Sequence, residues 1–116
     1  MKLYRWDRVE KETMNSLLAR QVIHGEKMTV AKIHMRQGAV VPMHQHVNEQ
    51  LSIMEHGRMR FTVGGQEVTL EPGDMLMIPS NVPHTAEALE DCLATDINSP
   101  VREDWVRGDD AYLRRG

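Results

Sequence analysis

The chain is expected to fold as an all-β sandwich or barrel of many short strands, and three observations carry that expectation. Apolar residues recur mostly with period two, as in Arg58-Met59-Arg60-Phe61-Thr62-Val63, where Met59, Phe61 and Val63 share one face. Turn signals follow one another at roughly 8–12-residue spacing, the rhythm of sandwiches and barrels. Pro72, Pro79 and Pro83 fall between the apolar runs, where a residue that cannot donate to a central ladder belongs.

Taken in order, a strand near 17–23 and another near 28–36 flank His24-Gly25-Glu26-Lys27, which reads as a hairpin turn. The strand at 58–63 ends at Gly64-Gly65, a pair suited to the positive φ angles of a tight turn, and Glu67-Val68-Thr69-Leu70 resumes the alternation. Glu71-Pro72-Gly73-Asp74 closes that strand, and Met75-Leu76-Met77-Ile78 reads as a short buried one. Residues 79–83 form a loop, and strands near 84–88 and 91–97 follow. The last fifteen residues of interest, VREDWVRGDDAYLRR (101–115), are polar and weakly periodic; they are expected to be a packed polar tail or one short helix.

At 116 residues, 1–116 is expected to be a single domain with one modest core. A net charge of -3 without a dense Lys/Arg cluster argues against a nucleic-acid partner. No segment approaches the roughly 18 apolar residues of a membrane span, and the stretch MKLYRWDRVEKE, interrupted by charge every few residues, holds no apolar run of the signal-peptide kind. A lone Cys92 fits a reducing cytoplasm and reads as a small buried hydrophobe. Aromatic residues are scarce and sit near the ends, Phe61 excepted, so a pocket built from the central strands should be lined by aliphatics, Met and His.

The chemistry concentrates in MHQHVNEQ, residues 43–50. On a strand, residues i and i+2 share a face, so His44 and His46 point together while Gln45 points away. Gln50, four residues on, can occupy the next strand. If the strand beginning at His84 pairs back toward this segment, its imidazole completes the set. Three neutral imidazoles and one oxygen donor suit one divalent transition metal, Ni, Zn, Mn or Fe, with Cu a further fit. His24, His34 and His56 fall outside the pattern and read as surface or turn residues, and Met43 and Met54 as core packing.

Two spacings, Gly38-x5-His44-x-His46-x3-Gln50-x6-Gly57 (38–57) and Gly73-x5-Pro79-x-Asn81-x2-His84 (73–84), resemble the paired motifs of the cupin superfamily. Gln50 stands where Glu is usual, Asn81 where Gly is frequent, and Ala88 where the second motif often has Asn. The resemblance implies a double-stranded β-helix, a small jelly-roll barrel. Spacing favours Gln50 as the ligand and turns Glu49 outward, whereas a local bulge would reverse the two. A neutral amide leaves the metal's double charge uncompensated, which favours Lewis-acid chemistry on a small anionic substrate.

Asp96-Ile97-Asn98-Ser99-Pro100-Val101-Arg102 resembles the end of small cupins of the KdgF type, which linearise 4,5-unsaturated uronic acids. That resemblance implies Asp96 as acid/base and Arg102 as the fork for a substrate carboxylate. Asn98 stands where the family has an aromatic. Glu103 and Asp104 read as a solvated face. The implied activity is a metal-dependent lyase or isomerase of a small sugar acid. The alternatives are a metal-dependent dioxygenase and a non-catalytic sugar-binding module. A homodimer is expected, with Tyr4/Trp6 and Trp105/Tyr112 covering strand edges across a two-fold axis.

Overall fold

A computed structural model describes residues 1–115. A 3₁₀ turn, Trp6–Arg8, precedes ten strands: β1 Glu12–Asn15, β2 Leu18–His24, β3 Thr29–Met35, β4 Val40–His44, β5 Glu49–His56, β6 Met59–Val63, β7 Gln66–Leu70, β8 Met75–Ile78, β9 His84–Ala88 and β10 Cys92–Ser99. Two short helices follow, α1 Glu103–Val106 and α2 Ala111–Arg115.

The strands form two antiparallel sheets, ordered β1-β2-β3-β10-β5-β8 and β4-β9-β6-β7. The alternation read from the sequence is the alternation of burial. On β3, Thr29, Ala31, Ile33 and Met35 point into the core, and on β5 so do Gln50, Ser52 and Met54. Met59 and Phe61 do the same from β6, and Ala86 and Ala88 from β9. One end of this shared interior is apolar, with Met54, Met59 and Cys92. The other carries Gln50, Ser52, His84 and Asn98, all buried. The sheets therefore enclose a core that becomes polar toward one mouth.

Two backbone positions explain residues of the motifs. A Cβ on Gly57 would lie 2.1 Å from the Asp91 carbonyl oxygen, and its φ is +78°, so only glycine fits. Asn81 adopts φ 61°, the left-handed region that Asn tolerates next after Gly, and its N–H donates to the His46 carbonyl at 2.8 Å. The Gly-to-Asn departure thus keeps the loop conformation.

Several expectations require correction. The C-terminal segment, expected as a packed tail or one short helix, does pack but forms two short helices. Arg102, Trp105, Asp110 and Leu113 are buried, because the open mouth offers them a polar and apolar surface to cover. Arg20 of β2 donates to Asp110 at 2.5 Å, and the Asn15 amide donates to the Leu113 carbonyl at 3.1 Å, fixing α2 to the first two strands. Trp105 is buried and Tyr112 stacks on His44, so both rings face the barrel. Met54 is core, but Met43 is 66% exposed, since it falls on the outward side of the alternation that turns His44 inward. Cys92 is buried, with its thiol donating to the carbonyls of Arg58 and Glu90.

Candidate metal centre

His44 ends β4 and His84 begins β9, and the two strands pair in register His44↔His84. His46 lies in the short connection between β4 and β5. The three ligating nitrogens lie within 4.8 Å of one another. The ring centroids are 4.2 Å apart for His44 and His84, 5.0 Å for His46 and His84, and 5.7 Å for His44 and His46.

Each imidazole is oriented by its own backbone. Nδ1 of His44 contacts the Pro42 carbonyl at 2.8 Å, that of His46 the Asn48 carbonyl at 3.0 Å, and that of His84 the Val82 carbonyl at 2.9 Å. A carbonyl only accepts, so each Nδ1 carries the proton and each Nε2 presents a lone pair. Burial holds the rings neutral. It lowers His44 and His46 to about 4, the charges of neighbouring His84 and Arg102 adding to the effect, and it lowers His84 as well.

Gln50 is turned inward and Glu49 outward. The Gln50 amide donates to Ser52 Oγ at 3.0 Å, which directs Oε1 toward His46 Nε2 at 3.1 Å. Two lone pairs thus face each other, an arrangement that a cation between them relieves. His84 Nε2 is buried and has no hydrogen-bond partner among the described residues. An orphaned imidazole nitrogen, two more beside it and a neutral amide oxygen form a donor set that fits a divalent metal.

Asp96 and Asn98 enter the same interior from β10, opposite Ser52 and Gln50 respectively. Burial raises the Asp96 carboxyl to about 6, only partly offset by Ser52 and by the charge of Arg102. Its Oδ1 is enclosed without a hydrogen-bond partner among the described residues. Arg102, 1% exposed, does not present a free fork. Its Nε and Nη2 donate to Asp104 at 3.0 and 2.8 Å, Nη1 donates to Asn98 Oδ1 at 3.3 Å, and Nη2 also reaches the Tyr112 hydroxyl at 2.7 Å. Burial works to raise Asp104, but the guanidinium holds it below the usual carboxylate range. Asp104, read as part of a solvated face, is therefore the counter-ion of a buried arginine.

The aromatic rings that the central strands lack come from the C-terminus. Tyr112 stacks on His44 with centroids 4.5 Å apart and planes at 23°. Trp105 lies under the guanidinium of Arg102 at 4.2 Å and that of Arg20 at 4.8 Å. Neither Tyr112 nor Asp104 was singled out by motif spacing. The one signal pointing to Tyr112 was an aromatic and a leucine inside an otherwise polar run. Asn48, an unspecified position of the motif, was not singled out either: buried, it donates to the Pro100 and Val101 carbonyls and so ties the histidine loop to the segment after β10.

Two cavities meet here. An inner chamber of about 40 Å³ holds Asp96, Gln50 and His84 among apolar walls, and an open basin of about 650 Å³ lies over His44, His46 and Asn48. His44 and Tyr112 border both. His24 and His34 lie elsewhere, bonded to Thr29 and Gln21, and His56 is exposed.

An antiparallel two-sheet barrel with three histidines gathered at its mouth is the architecture of a cupin with a candidate metal centre. The cupin domain profile matches residues 31–97, more than half of the chain, and the protein belongs to the cupin family. It is similar to KdgF from Halomonas sp., with 27% identity, 90% of this chain and 99% of that chain covered, and a TM-score of 0.83. An RmlC-like cupin from Shewanella frigidimarina is also 27% identical, with 90% and 96% covered and a TM-score of 0.85. Oxalate decarboxylase from Bacillus subtilis, an enzyme with Mn(II) centres, shares the fold at 17% identity and a TM-score of 0.73, over 89% of this chain and 33% of that one. No curated protein matches the sequence. No helix among the described residues is long and apolar enough to cross a membrane.

Proposed function

We propose that this cupin is a metal-dependent lyase or isomerase that opens or tautomerises a small unsaturated sugar acid. The observation that carries the reading is Asp96, an enclosed carboxyl with an unpartnered oxygen, sharing one cavity with His44, His84 and Gln50. The likeness to KdgF over nearly the whole of both chains supports it.

His44, His46, His84 and Gln50 would hold the metal. Bound there among neutral ligands, it supplies Lewis acidity and an undiminished positive charge for an anionic substrate. The inner chamber is sized for water, since a water needs roughly 10–15 Å³ of such space. A sugar acid fits the outer basin instead. Opening an unsaturated uronate moves a proton while an enolate-like charge is held. Asp96, with its carboxyl raised to about 6, takes and returns that proton, directly or through one chamber water. Arg102, held by Asp104, keeps a fixed positive charge in the chamber wall that draws the substrate carboxylate.

The test follows the enol-ether absorbance of an unsaturated uronate alongside dissolved oxygen. The reading expects absorbance loss without oxygen uptake, abolished by metal depletion and lowered about 100-fold or more in Asp96→Asn. Substrate-dependent oxygen uptake would replace it with a dioxygenase, and tight binding without turnover with a sugar-binding module.

The protein is further proposed to be a cytoplasmic homodimer. A single free thiol, Cys92, supports the first point. The second rests on the outer face of the six-stranded sheet, where register aligns Ile23, Val30, Ile97, Leu51 and Met77 in one apolar row across five strands. Light scattering at micromolar concentration tests it, and a monomer would refute it.

A further inference from the structure

Tyr112 lies outside the residues matched by the family profile, yet it completes the rim of the histidine cluster. Its position is fixed from both sides. Two residues before it, Asp110 is bound to Arg20 in a buried ion pair, and one residue after it, Leu113 is buried with its carbonyl held by Asn15. The ring is thereby set against His44, at the boundary between chamber and basin.

The hydroxyl is unusual in what it receives. Arg102 Nη2 donates to it at 2.7 Å and Trp105 Nε1 at 3.1 Å. Both act only as donors, so the phenolic oxygen is occupied as an acceptor and its own proton is left for a third group. No described residue accepts it. A donor that is itself receiving a charged hydrogen bond is polarised, which strengthens what it offers.

We propose that Tyr112 is a substrate-binding residue of this centre, donating its hydroxyl proton to a carboxylate or enolate oxygen seated over His44. The inference rests on the metal reading of the three histidines. It assigns to the C-terminal helix a place in the site that the barrel motifs do not cover.

The experiment uses full-length protein and Tyr112→Phe, each loaded with Co(II) and titrated with sodium acetate while the visible ligand-field spectrum is recorded. Phenylalanine keeps the ring on His44 and removes only the hydroxyl. Equal cobalt affinity in both proteins is expected, with about tenfold or more acetate needed to change the Phe spectrum, the size of one hydrogen bond to a charged group. Equal acetate affinity with cobalt bound normally would overturn the role of Tyr112 and leave the metal centre standing. Loss of cobalt together with the hydroxyl would overturn the donor role in favour of a support for His44. Failure of the wild type to bind cobalt would overturn the metal reading itself.

Discussion

The guanidinium of Arg102 and the carboxylate of Asp104 meet in two parallel hydrogen bonds, 3.0 and 2.8 Å, two residues apart in sequence. This bidentate pair sets a buried positive charge in the wall of the chamber while Asp104 remains partly exposed at the basin. Asp104→Ala leaves that charge without its counter-ion. A loss of about 2–3 kcal/mol is expected, less than for a fully buried pair because Asp104 is wetted. Urea denaturation of the two proteins measures it, and an unchanged midpoint would mean the pair is merely a surface contact.

The inward turn of Gln50 and outward turn of Glu49 separate two variants. Gln50→Ala is expected to weaken metal affinity at least tenfold, since it deletes an oxygen directed at His46, whereas Glu49→Ala leaves affinity unchanged. Competitive metal titration against a chelating dye compares them. The reverse order would show that Glu49 reaches the metal.

Gly57→Ala tests the close approach of two strand ends. The added methyl meets the Asp91 carbonyl at 2.1 Å in a left-handed backbone conformation, so the backbone must shift. A destabilisation of about 2 kcal/mol or more is expected from clash and strain together. A thermal midpoint equal to wild type would show that the turn relaxes freely.

Without metal, stability should rise with pH across the acid range. His44 and His46 have folded pKa values of about 4 against an ordinary 6.5, so between these limits the unfolded chain binds protons that the folded one refuses. That contribution is fully present above about 6.5 and lost as pH falls toward 4. Asp96 acts in the opposite sense between 3.8 and about 6, because its raised carboxyl keeps a proton in the folded state. Two histidines outweigh one aspartate, and the lowered His84 adds to them. Denaturation of metal-depleted protein at pH 7 and pH 4.5 checks the sign, and greater stability at pH 4.5 would contradict it.

How much of this was legible depended on range. The hairpins were readable because Gly64-Gly65 and the alternation beside it are local properties, and so was the inward aim of His44 and His46. His84 could be joined to them because barrel pairing makes a spacing into a contact. Asp104, Asn48 and Tyr112 were not readable, since their partners are set by a segment folding back over the mouth. Acidic residues such as Asp104 and Asp110 look solvated in sequence, and only their contacts with Arg102 and Arg20 show what they pair with. The same blindness made Met43 look like core, although the alternation that faces His44 inward places it outside.

The bonds from each imidazole Nδ1 to a carbonyl two residues away have a calorimetric consequence. Rings already neutral and already in the correct tautomer release no protons when a cation arrives near pH 7, and an amide has none to give. The enthalpy of metal uptake should therefore be the same in buffers whose own ionisation heats differ widely. A site built from thiols, or from histidines charged at rest, would show a slope in that comparison. This one should show a flat line, and the protein would load its ion without changing the acidity around it.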